Sequence, residues 1–133
     1  MSQPHQPPRK RVMVVDDDAL VLKVLVLELH VEFEVIPVNS YGAALAVLDA
    51  EGDFVAVVSD LDLGSGASGA DLLNEVQRRS PSCARVLVSG SADPLDVAAG
   101  TARGLIDRFI PKPFGRNEVL SAVRAALNGK HSA

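Results

Sequence analysis

Polar residues with the chemistry of metal and phosphate sites follow four short apolar runs of the chain. Two runs are followed by pairs of aspartates, a third by a serine and a fourth by a lysine: Asp16, Asp17, Asp60, Asp62, Ser89 and Lys112. Clustered carboxylates repel one another and raise each other's pKa unless a cation neutralises them. Mg²⁺ suits such oxygen ligands, and a carboxylate can itself be the nucleophile in phosphoryl transfer. A lysine and a hydroxyl would then pair with the phosphoryl oxygens.

These residues need a fold that gathers them, and the apolar pattern predicts one. Runs rich in Val or Ile predict five strands, at Arg11–Val15, Glu34–Val38, Val55–Ser59, Arg85–Val88 and Ile106–Ile110. Helices are predicted to follow them, at 18–30, 41–50, 69–79, 94–102 and 116–128. Five strand-then-helix units indicate an α/β fold, a doubly wound parallel sheet with helices on both faces. The carboxyl ends of its strands then share one rim, where such folds bind ligands.

The segment from Leu27 to Val35 fits two structures. Its apolar residues alternate with polar ones, which is the period of a strand. We nevertheless predict that the first helix continues to about His30, because a parallel crossover needs about a dozen residues or more. Pro37 cannot donate a ladder hydrogen bond, so the second strand is expected at an edge of the sheet. Helix caps are predicted from polar residues and glycine at three helix starts: Asp18, Ser40 and Gly115 with Glu118.

The composition is that of a single domain, and it excludes several classes of protein. The chain has 133 residues, and we expect one domain over 10–128, a disordered tail over 1–9 and a short tail over 129–133. A net charge of −4, with no Trp, one Tyr and four Phe, argues against direct nucleic-acid binding. The apolar runs are far too short to span a membrane. The single cysteine, Cys83, excludes an internal disulfide, and with no secretory signal in residues 1–8 it favours a cytoplasmic location.

Four motifs, in this order, resemble those of the response-regulator receiver domain, the phospho-acceptor module of two-component signalling. They are Val14–Asp18, Val58–Leu63, Val86–Gly90 and Pro111–Phe114. Each motif alone is weak evidence for the family, but all four in this order and at the spacing of receiver domains are strong evidence. The resemblance covers nearly the whole chain, from about Lys10 to Asn128. It implies a flavodoxin-like five-stranded sheet with the strand order 2-1-3-4-5.

By position, the resemblance assigns the aspartates to phosphoryl and metal chemistry. Asp60 matches the phosphorylated aspartate, and it is also expected among the Mg²⁺ ligands. Asp16 and Asp17 match the acidic pair that holds Mg²⁺, directly or through water. Asp62, two residues after the acceptor, would offer its backbone carbonyl to the metal.

The same resemblance assigns a switch and its partners. Lys112 matches the lysine that pairs with the phosphoryl group, Ser89 the hydroxyl that moves toward it, and Phe109 the ring that turns inward behind that hydroxyl. The Lys112–Pro113 peptide bond is expected to be cis, as is usual in the family. The implied phosphodonor is a sensor histidine kinase or a histidine phosphotransfer protein. An output partner would read the face made by the fourth helix, fifth strand and fifth helix, and phosphorylation-dependent homodimers are a further outcome open to such a switch.

Three features depart from the family pattern. Gly64 stands where the family usually has proline, and the loop Gly64–Gly69 is one residue longer than the common form. The glycine that often precedes the second strand is missing, with Glu32 nearby instead. None of the three departures replaces one of the site carboxylates or the lysine, but the longer loop could alter the metal affinity or the lifetime of a phosphoryl group.

Two other functions would use the same residues. Asp60 and Asp62 also resemble the D-x-D motif of haloacid-dehalogenase-type phosphohydrolases, as nucleophile and general acid/base. That family needs a further acidic pair after its lysine, whereas here the acidic pair comes first and only Glu118 follows Lys112. A pseudo-receiver that only binds partners is disfavoured, because every expected residue type is present. The sequence therefore predicts a phosphorylated signalling domain and not an enzyme.

Overall fold

The computed structural model describes residues 8–64 and 66–131. Within these ranges, five strands alternate with five helices: β1 (Arg11–Val15), α1 (Ala19–Leu29), β2 (Glu34–Val38), α2 (Tyr41–Glu51), β3 (Ala56–Asp60), α3 (Gly69–Arg79), β4 (Ala84–Ser89), α4 (Pro94–Ala102), β5 (Arg108–Pro111) and α5 (Glu118–His131). All neighbouring strands pair in parallel, in the order 2-1-3-4-5. The predicted doubly wound α/β fold is confirmed. Residues 1–7 of the predicted N-terminal tail, and residues 132–133, lie outside the described residues.

The sheet is buried on both faces because its central strands are almost entirely apolar. Alternate residues of β1 point to opposite layers. Val14 packs with Leu25 and Val123 in a cluster made with α1 and α5. Val15 packs with Leu72 in a second cluster, made mainly with α2 and α3. Two covered faces leave the ends of the strands as the accessible parts of the central sheet.

Strand β2 lies at the edge of the sheet, as predicted from its proline. Pro37 pairs in register with Val14 of β1, and no strand of the described chain covers its other side. A residue without an N–H is tolerated there because no ladder hydrogen bond is required on the open side.

The ambiguous segment before β2 is helical, as predicted, up to Leu29. Leu29 and Phe33 are buried, but Leu27 and Val31 are each 59% exposed. The alternating pattern therefore does not mark a strand: Leu27 is exposed on α1, and Val31 is exposed in the turn that follows the helix.

The predicted caps at Asp18 and Ser40 are confirmed, whereas Gly115 lies three residues before the start of α5 and is not its cap residue. The Asp18 carboxylate accepts the N–H groups of the first turn of α1, and the Ser40 hydroxyl does the same for α2. The Gly115 N–H donates to the Glu118 carboxylate at 2.7 Å. Helix α5 begins at Glu118, later than the predicted residue 116, because Asn117 has a φ of 65° and cannot belong to the helix.

Strand β5 begins at Arg108, later than the predicted start at Ile106. The N–H groups of Leu105 and Ile106 donate to the carbonyl of Gly100, at 2.8 and 3.2 Å, so they close the end of α4 and do not enter the sheet. The connection between α4 and β5 is therefore longer than the apolar run at 105–106 indicated.

Helix α5 continues past the predicted end at residue 128, to His131. Its last turn is anchored because the Lys130 ammonium lies 3.3 Å from the Asp107 carboxylate and donates to the carbonyl of Pro81 at 3.3 Å. Residues 129–131 of the predicted C-terminal tail are thus part of the last helix.

Candidate functional site

Four strand ends bring predicted site residues to one rim of the sheet. Asp16 follows β1, Asp60 ends β3, Ser89 ends β4 and Lys112 follows β5. These four strands are consecutive neighbours in the sheet. The rim includes the point between β1 and β3 at which the strand order reverses, where doubly wound folds form their ligand sites.

Asp16 is held by both of its carboxylate oxygens. It is 1% exposed, its Oδ2 lies 2.9 Å from Nζ of Lys112, and its Oδ1 accepts the N–H of Asp18 at 2.9 Å. A buried charge needs partners of this kind. The contacts hold the carboxylate in one position on the rim.

Lys112 bridges the two buried aspartates. Its Nζ lies 3.2 Å from Oδ2 of Asp60, and its backbone N–H donates to the carbonyl of Ser89 at 3.0 Å. Burial alone would lower the pKa of Lys112, but hydrogen bonds to Asp16 and Asp60 outweigh it and raise that pKa above its ordinary value. The ammonium is therefore charged at neutral pH. The expected cis bond between Lys112 and Pro113 is confirmed.

The carboxyl group of Asp60 has a raised pKa. Burial is the largest cause, and the neighbouring Asp16 carboxylate raises the pKa further. A hydrogen bond and the positive charge of Lys112, with a hydrogen bond from the Asp62 backbone, lower it only in part. The predicted repulsion between carboxylates is present, but loss of water contributes more. A cation beside Asp60 would favour its charged form.

Three carboxylates converge on a space that a metal ion could occupy. Asp16, Asp17 and Asp60 each offer an oxygen, and these atoms all lie within 4.8 Å of one another. Asp17 is exposed, whereas the other two are buried. An oxygen-only ligand set that is open to water on one side fits Mg²⁺, which prefers carboxylates and keeps several waters.

The side chain of Asp62 does not join this cluster. It is exposed, and its Oδ1 accepts the N–H of Gly64 at 3.1 Å. The contribution of Asp62 to the rim is its backbone, whose N–H donates to the Asp60 carboxylate. Its carbonyl as a metal ligand stays a prediction.

Two glycines of the loop after β3 are required by geometry. Gly64 has a φ of 88°, which proline cannot adopt, and lies beside Asp17. This accounts for the absence of the family's usual proline. At Gly69, a Cβ would lie 1.9 Å from the backbone oxygen of Asp60, so α3 starts directly against Asp60. Sequence reasoning missed this role of Gly69, whose signal is a glycine at the first position of a predicted helix.

Ser89 ends β4, and Phe109 lies in the neighbouring strand β5. Ser89 is 2% exposed, and its hydroxyl accepts the N–H of Ser91 at 3.1 Å. The hydroxyls of the two serines are 3.5 Å apart. Phe109 is half-buried and pairs in register with Leu87. The contact with Ser91, which sequence reasoning did not identify, gives the Ser89 hydroxyl a hydrogen-bond partner two residues along the chain.

Two further sequence observations concern the rest of the molecule. No helix in the ranges 8–64 and 66–131 is long and apolar enough to cross a membrane. Cys83 is a free, buried cysteine, and burial raises the pKa of its thiol to about 12. The thiol is therefore protonated and unreactive at neutral pH.

The fold and the rim define a class of protein: a doubly wound α/β domain with a buried acid, an acidic pair and a lysine at the carboxyl ends of its strands. The model of the response regulator receiver domain family matches residues 12–124. The chain belongs to this family and is the receiver domain of a two-component response regulator.

Known proteins resemble the chain over most of its length. The hydrogenase transcriptional regulatory protein HoxA of Cupriavidus necator is 32% identical over 119 residues, which cover 90% of this chain and 24% of HoxA. The DNA-binding response regulator MtrA of Mycobacterium tuberculosis is 35% identical over 121 residues, covering 90% of this chain and 51% of MtrA. The chain thus spans between a quarter and a half of these relatives.

A solved structure supports the fold. The CheY-like response regulator receiver domain protein of Methanospirillum hungatei superimposes with a TM-score of 0.82. The match is 24% identical and covers 92% of this chain and 96% of that one. The architecture is therefore that of the CheY-like receiver domains.

Proposed function

We propose that the chain is a phospho-acceptor, and that Asp60 carries the phosphoryl group with Mg²⁺ bound beside it. The observation that supports this best is the position of Lys112, whose Nζ lies 2.9 Å from Asp16 and 3.2 Å from Asp60. A buried acid with an ammonium on one side and an acidic pair on the other has the charges that a transferred phosphoryl group needs.

In the proposed transfer, a carboxylate oxygen of Asp60 attacks the phosphorus of a phosphohistidine. The P–O bond forms as the P–N bond breaks, and the P–N electron pair returns to the imidazole, which takes up one proton from water. Asp60 becomes an acyl phosphate. Lys112 keeps its charge and its contact with Asp16 while it pairs with the phosphoryl oxygens. Because Asp60 is only 8% exposed, few water molecules reach the acyl phosphate.

Asp16, Asp17 and Asp60 would hold the metal, together with the backbone carbonyl of Asp62. Bound Mg²⁺ offsets the negative charge that the carboxylates and the phosphoryl group share. The fit is supported by ligand oxygens within 4.8 Å of one another and by the exposed side of the cluster at Asp17.

The output is proposed to begin at Ser89. Its hydroxyl would leave the Ser91 N–H for the phosphoryl group, and the half-buried ring of Phe109 would turn into the vacated space. This change would bias α4, β5 and α5 toward a form that an output protein, an output domain or a second copy reads. A phosphoryl group adds nearly two negative charges, enough to select between packings that differ by a few kcal/mol.

The donor is proposed to be a sensor histidine kinase or a histidine phosphotransfer protein that covers an apolar patch beside the site. The patch surrounds a surface cavity of about 420 Å³, which is lined by residues of α1 and of the turn after β5, including Leu20, Val24, Lys112, Pro113 and Phe114. Leu20 is 70% exposed and Val24 41%. Exposed apolar groups at the edge of a reaction site favour a protein partner over a small molecule.

A pair of leucines tests this docking surface. Leu20→Ser should slow phosphotransfer from a histidine kinase that phosphorylates the wild-type chain by roughly tenfold, the effect of about 1.4 kcal/mol of lost contact. Its reaction with a small acyl phosphate should be unchanged. Leu95→Ser is the matched control, since Leu95 is 79% exposed on α4. Equal slowing in both variants, or a slower reaction of Leu20→Ser with the acyl phosphate, would contradict the assignment.

The proposal describes a stoichiometric acceptor without sustained turnover. The exposed Asp62 carboxylate accepts from Gly64 and does not face Asp60, so the geometry offers little support for it as a hydrolase acid/base. The cytoplasm is the proposed compartment, because histidine donors are loaded there from ATP and the buried Cys83 is free. The net charge of −4 supports contacts with proteins and not with nucleic acid.

The direct experiment is incubation with a small acyl phosphate, with Mg²⁺ or with a chelator. Labelling should approach one phosphoryl group per chain with Mg²⁺, and should be lost in the chelator and in Asp60→Asn. Asp62→Asn is the matched control and should still be labelled. Normal labelling of Asp60→Asn would reject the proposal, and continuous hydrolysis of a generic phosphate ester would favour the phosphohydrolase.

A further inference from the structure

The largest fully buried side chain of the described molecule is an arginine that the proposed chemistry does not use. Arg85 is 2% exposed, and within residues 8–64 and 66–131 its guanidinium donates to four backbone carbonyls. Nε donates to Leu105 at 3.0 Å, and one terminal nitrogen donates to Cys83 at 2.7 Å and to Pro81 at 3.3 Å. The other terminal nitrogen donates to Gly104 at 2.9 Å. A rigid fork of donors therefore joins two loops.

No carboxylate accepts from this guanidinium among the described residues. The nearby Asp107 carboxylate instead accepts the backbone N–H of Arg85 at 2.8 Å and pairs with Lys130. Burying a charge without a charged hydrogen-bond partner is unfavourable, and an apolar side chain would fill the same space more cheaply. We therefore attribute the presence of a buried arginine at this position to the hydrogen bonds with which it joins the two loops.

The carbonyls that Arg85 holds come directly after α4. Gly104 and Leu105 connect α4 to β5, and the Gly104 carbonyl also accepts from Nε2 of Gln77 on α3, at 3.2 Å. The N–H of Leu105 returns to the carbonyl of Gly100 at 2.8 Å. The C-terminal end of α4 is therefore tied to α3, to β4 and to the loop before β4.

The other end of α4 lacks such ties. Its cap hydrogen bonds, from Leu95 and Val97 to Asp93, stay within the helix start. Gly100 is the one buried residue of α4. A cavity of about 400 Å³ runs along α4, lined by Asp96 and Val97 in its N-terminal half and by Gly100 and Arg103 toward its C-terminal end. In the N-terminal half of α4, Val97 is the one residue packed against the core, and the residues around it are exposed, so this half is held by fewer interactions than the C-terminal end.

We propose that Arg85 is a positioning residue that fixes the C-terminal end of α4, so that the helix moves from its N-terminal end. The fixed point is Gly104 and Leu105, and the displacement is largest at Leu95. The trigger for this movement rests on the proposed phosphorylation of Asp60, but the anchoring itself does not.

Amide hydrogen exchange of the full chain, read by NMR, tests the anchoring without any phosphoryl group. The amides of residues 105–107 should exchange about 100-fold more slowly than those of residues 97–99. In Arg85→Met this ratio should fall below about tenfold. Arg78→Met is the matched control, because the Arg78 side chain is 70% exposed, and its ratio should equal that of the wild type.

A purely structural role for Arg85 would give a different result. Loss of global stability would accelerate the amides of residues 105–107 by the same factor as those of the central strands, whereas loss of the anchor would accelerate residues 105–107 more than the central strands. Gln77→Leu removes the second donor to Gly104 from a half-buried position on α3, so it should fold and should lower the ratio by a smaller factor even where Arg85→Met does not fold. An unchanged ratio in Gln77→Leu and in any folded Arg85→Met, or a wild-type ratio near one, would overturn the proposal.

Addition of Mg²⁺ and beryllofluoride, a phosphoryl mimic, separates this inference from the proposed function. In the wild type, the amides of residues 97–99 should respond and those of 105–107 should not, whereas in Arg85→Met both should respond. A wild-type response at 105–107 equal to that at 97–99 would refute the anchor. No response at Asp60 or its neighbours would refute the proposed function, and the exchange ratio would still decide the anchor.

Discussion

Replacing Asp60 with asparagine should stabilise the metal-free protein at neutral pH. The substitution keeps the shape of the side chain and removes a buried negative charge whose pKa is raised by burial and by Asp16. Lys112 would keep its partner Asp16 at 2.9 Å, so that no buried charge would be left without a partner. The amide oxygen could still accept the hydrogen bond from the backbone of Asp62.

The size of the effect follows from charges that nearly cancel. At an effective dielectric constant of about 20, the Asp16 carboxylate within 4.8 Å opposes the charge of Asp60 by about 3.5 kcal/mol. Lys112 at 3.2 Å favours it by about 5 kcal/mol. The cost of burial decides the sign, and we expect a net gain of about 1–2 kcal/mol in Asp60→Asn. For 133 residues, each kcal/mol raises Tm by about 4 °C.

The pH dependence gives the sign a second test. Because the folded pKa of Asp60 lies above the unfolded value, its contribution to stability is fully present below about pH 4 and is lost as pH rises through the folded pKa. The advantage of Asp60→Asn should therefore be largest at pH 7 and vanish near pH 4. Chemical denaturation in a chelator at pH 7 and at pH 4 measures the stability difference between Asp60→Asn and the wild type. Asp53→Asn, at an exposed loop position, is the control and should change stability by less than about 0.5 kcal/mol.

Addition of Mg²⁺ should reverse this order of stabilities. At one hundred times its dissociation constant, a bound ion stabilises the wild type by about 2.7 kcal/mol, and Asp60→Asn should gain much less because it has lost a ligand. An Asp60→Asn protein that is less stable than the wild type in a chelator at pH 7 would refute the electrostatic description of the site.

Three other residues give independent tests. Gly69→Ala should destabilise the fold by about 3 kcal/mol or more and abolish labelling of Asp60, because the added Cβ would lie 1.9 Å from a backbone oxygen. Gly42→Ala is the control: its Cβ meets nothing within 4 Å, so denaturation should show unchanged or higher stability. Cys83, whose thiol pKa is raised to about 12, should resist alkylation at pH 8 in the native protein and react fully once unfolded, and fast native alkylation would contradict its burial. Glu28→Ala should cost about 1 kcal/mol, because its carboxylate accepts two N–H groups at the start of α5, and unchanged stability would show that this cap is replaced by water.

The sheet could be predicted from the sequence because its signals are local. Runs of β-branched residues define β1, β3 and β4, and Pro37 is compatible with an edge position only. The carboxylates follow strand ends in the sequence, so their gathering at one rim of the sheet could be predicted before any distance between them was known. The start of β5 could not be predicted from the apolar run, because the N–H groups of Leu105 and Ile106 donate to the carbonyl of Gly100 and not to a neighbouring strand.

The parts of the site that escaped prediction depend on contacts between distant segments. The resemblance implied a metal role for Asp62 through its backbone, but only the structure turns its side chain toward Gly64. Gly69 is needed because α3 starts against the backbone of Asp60. Arg85 reads as an ordinary polar residue in a strand, and its burial depends on carbonyls from loops that precede and follow it.

Chemical mapping of the phosphorylated residue tests the central claim most directly. After reaction with a small acyl phosphate and Mg²⁺, borohydride reduction converts an aspartyl phosphate into homoserine, which peptide mass spectrometry locates. We predict homoserine at position 60 in the wild type and at no position in Asp60→Asn. Homoserine at Asp16, Asp17 or Asp62, or none in a chain that carries stable phosphate elsewhere, would contradict the account.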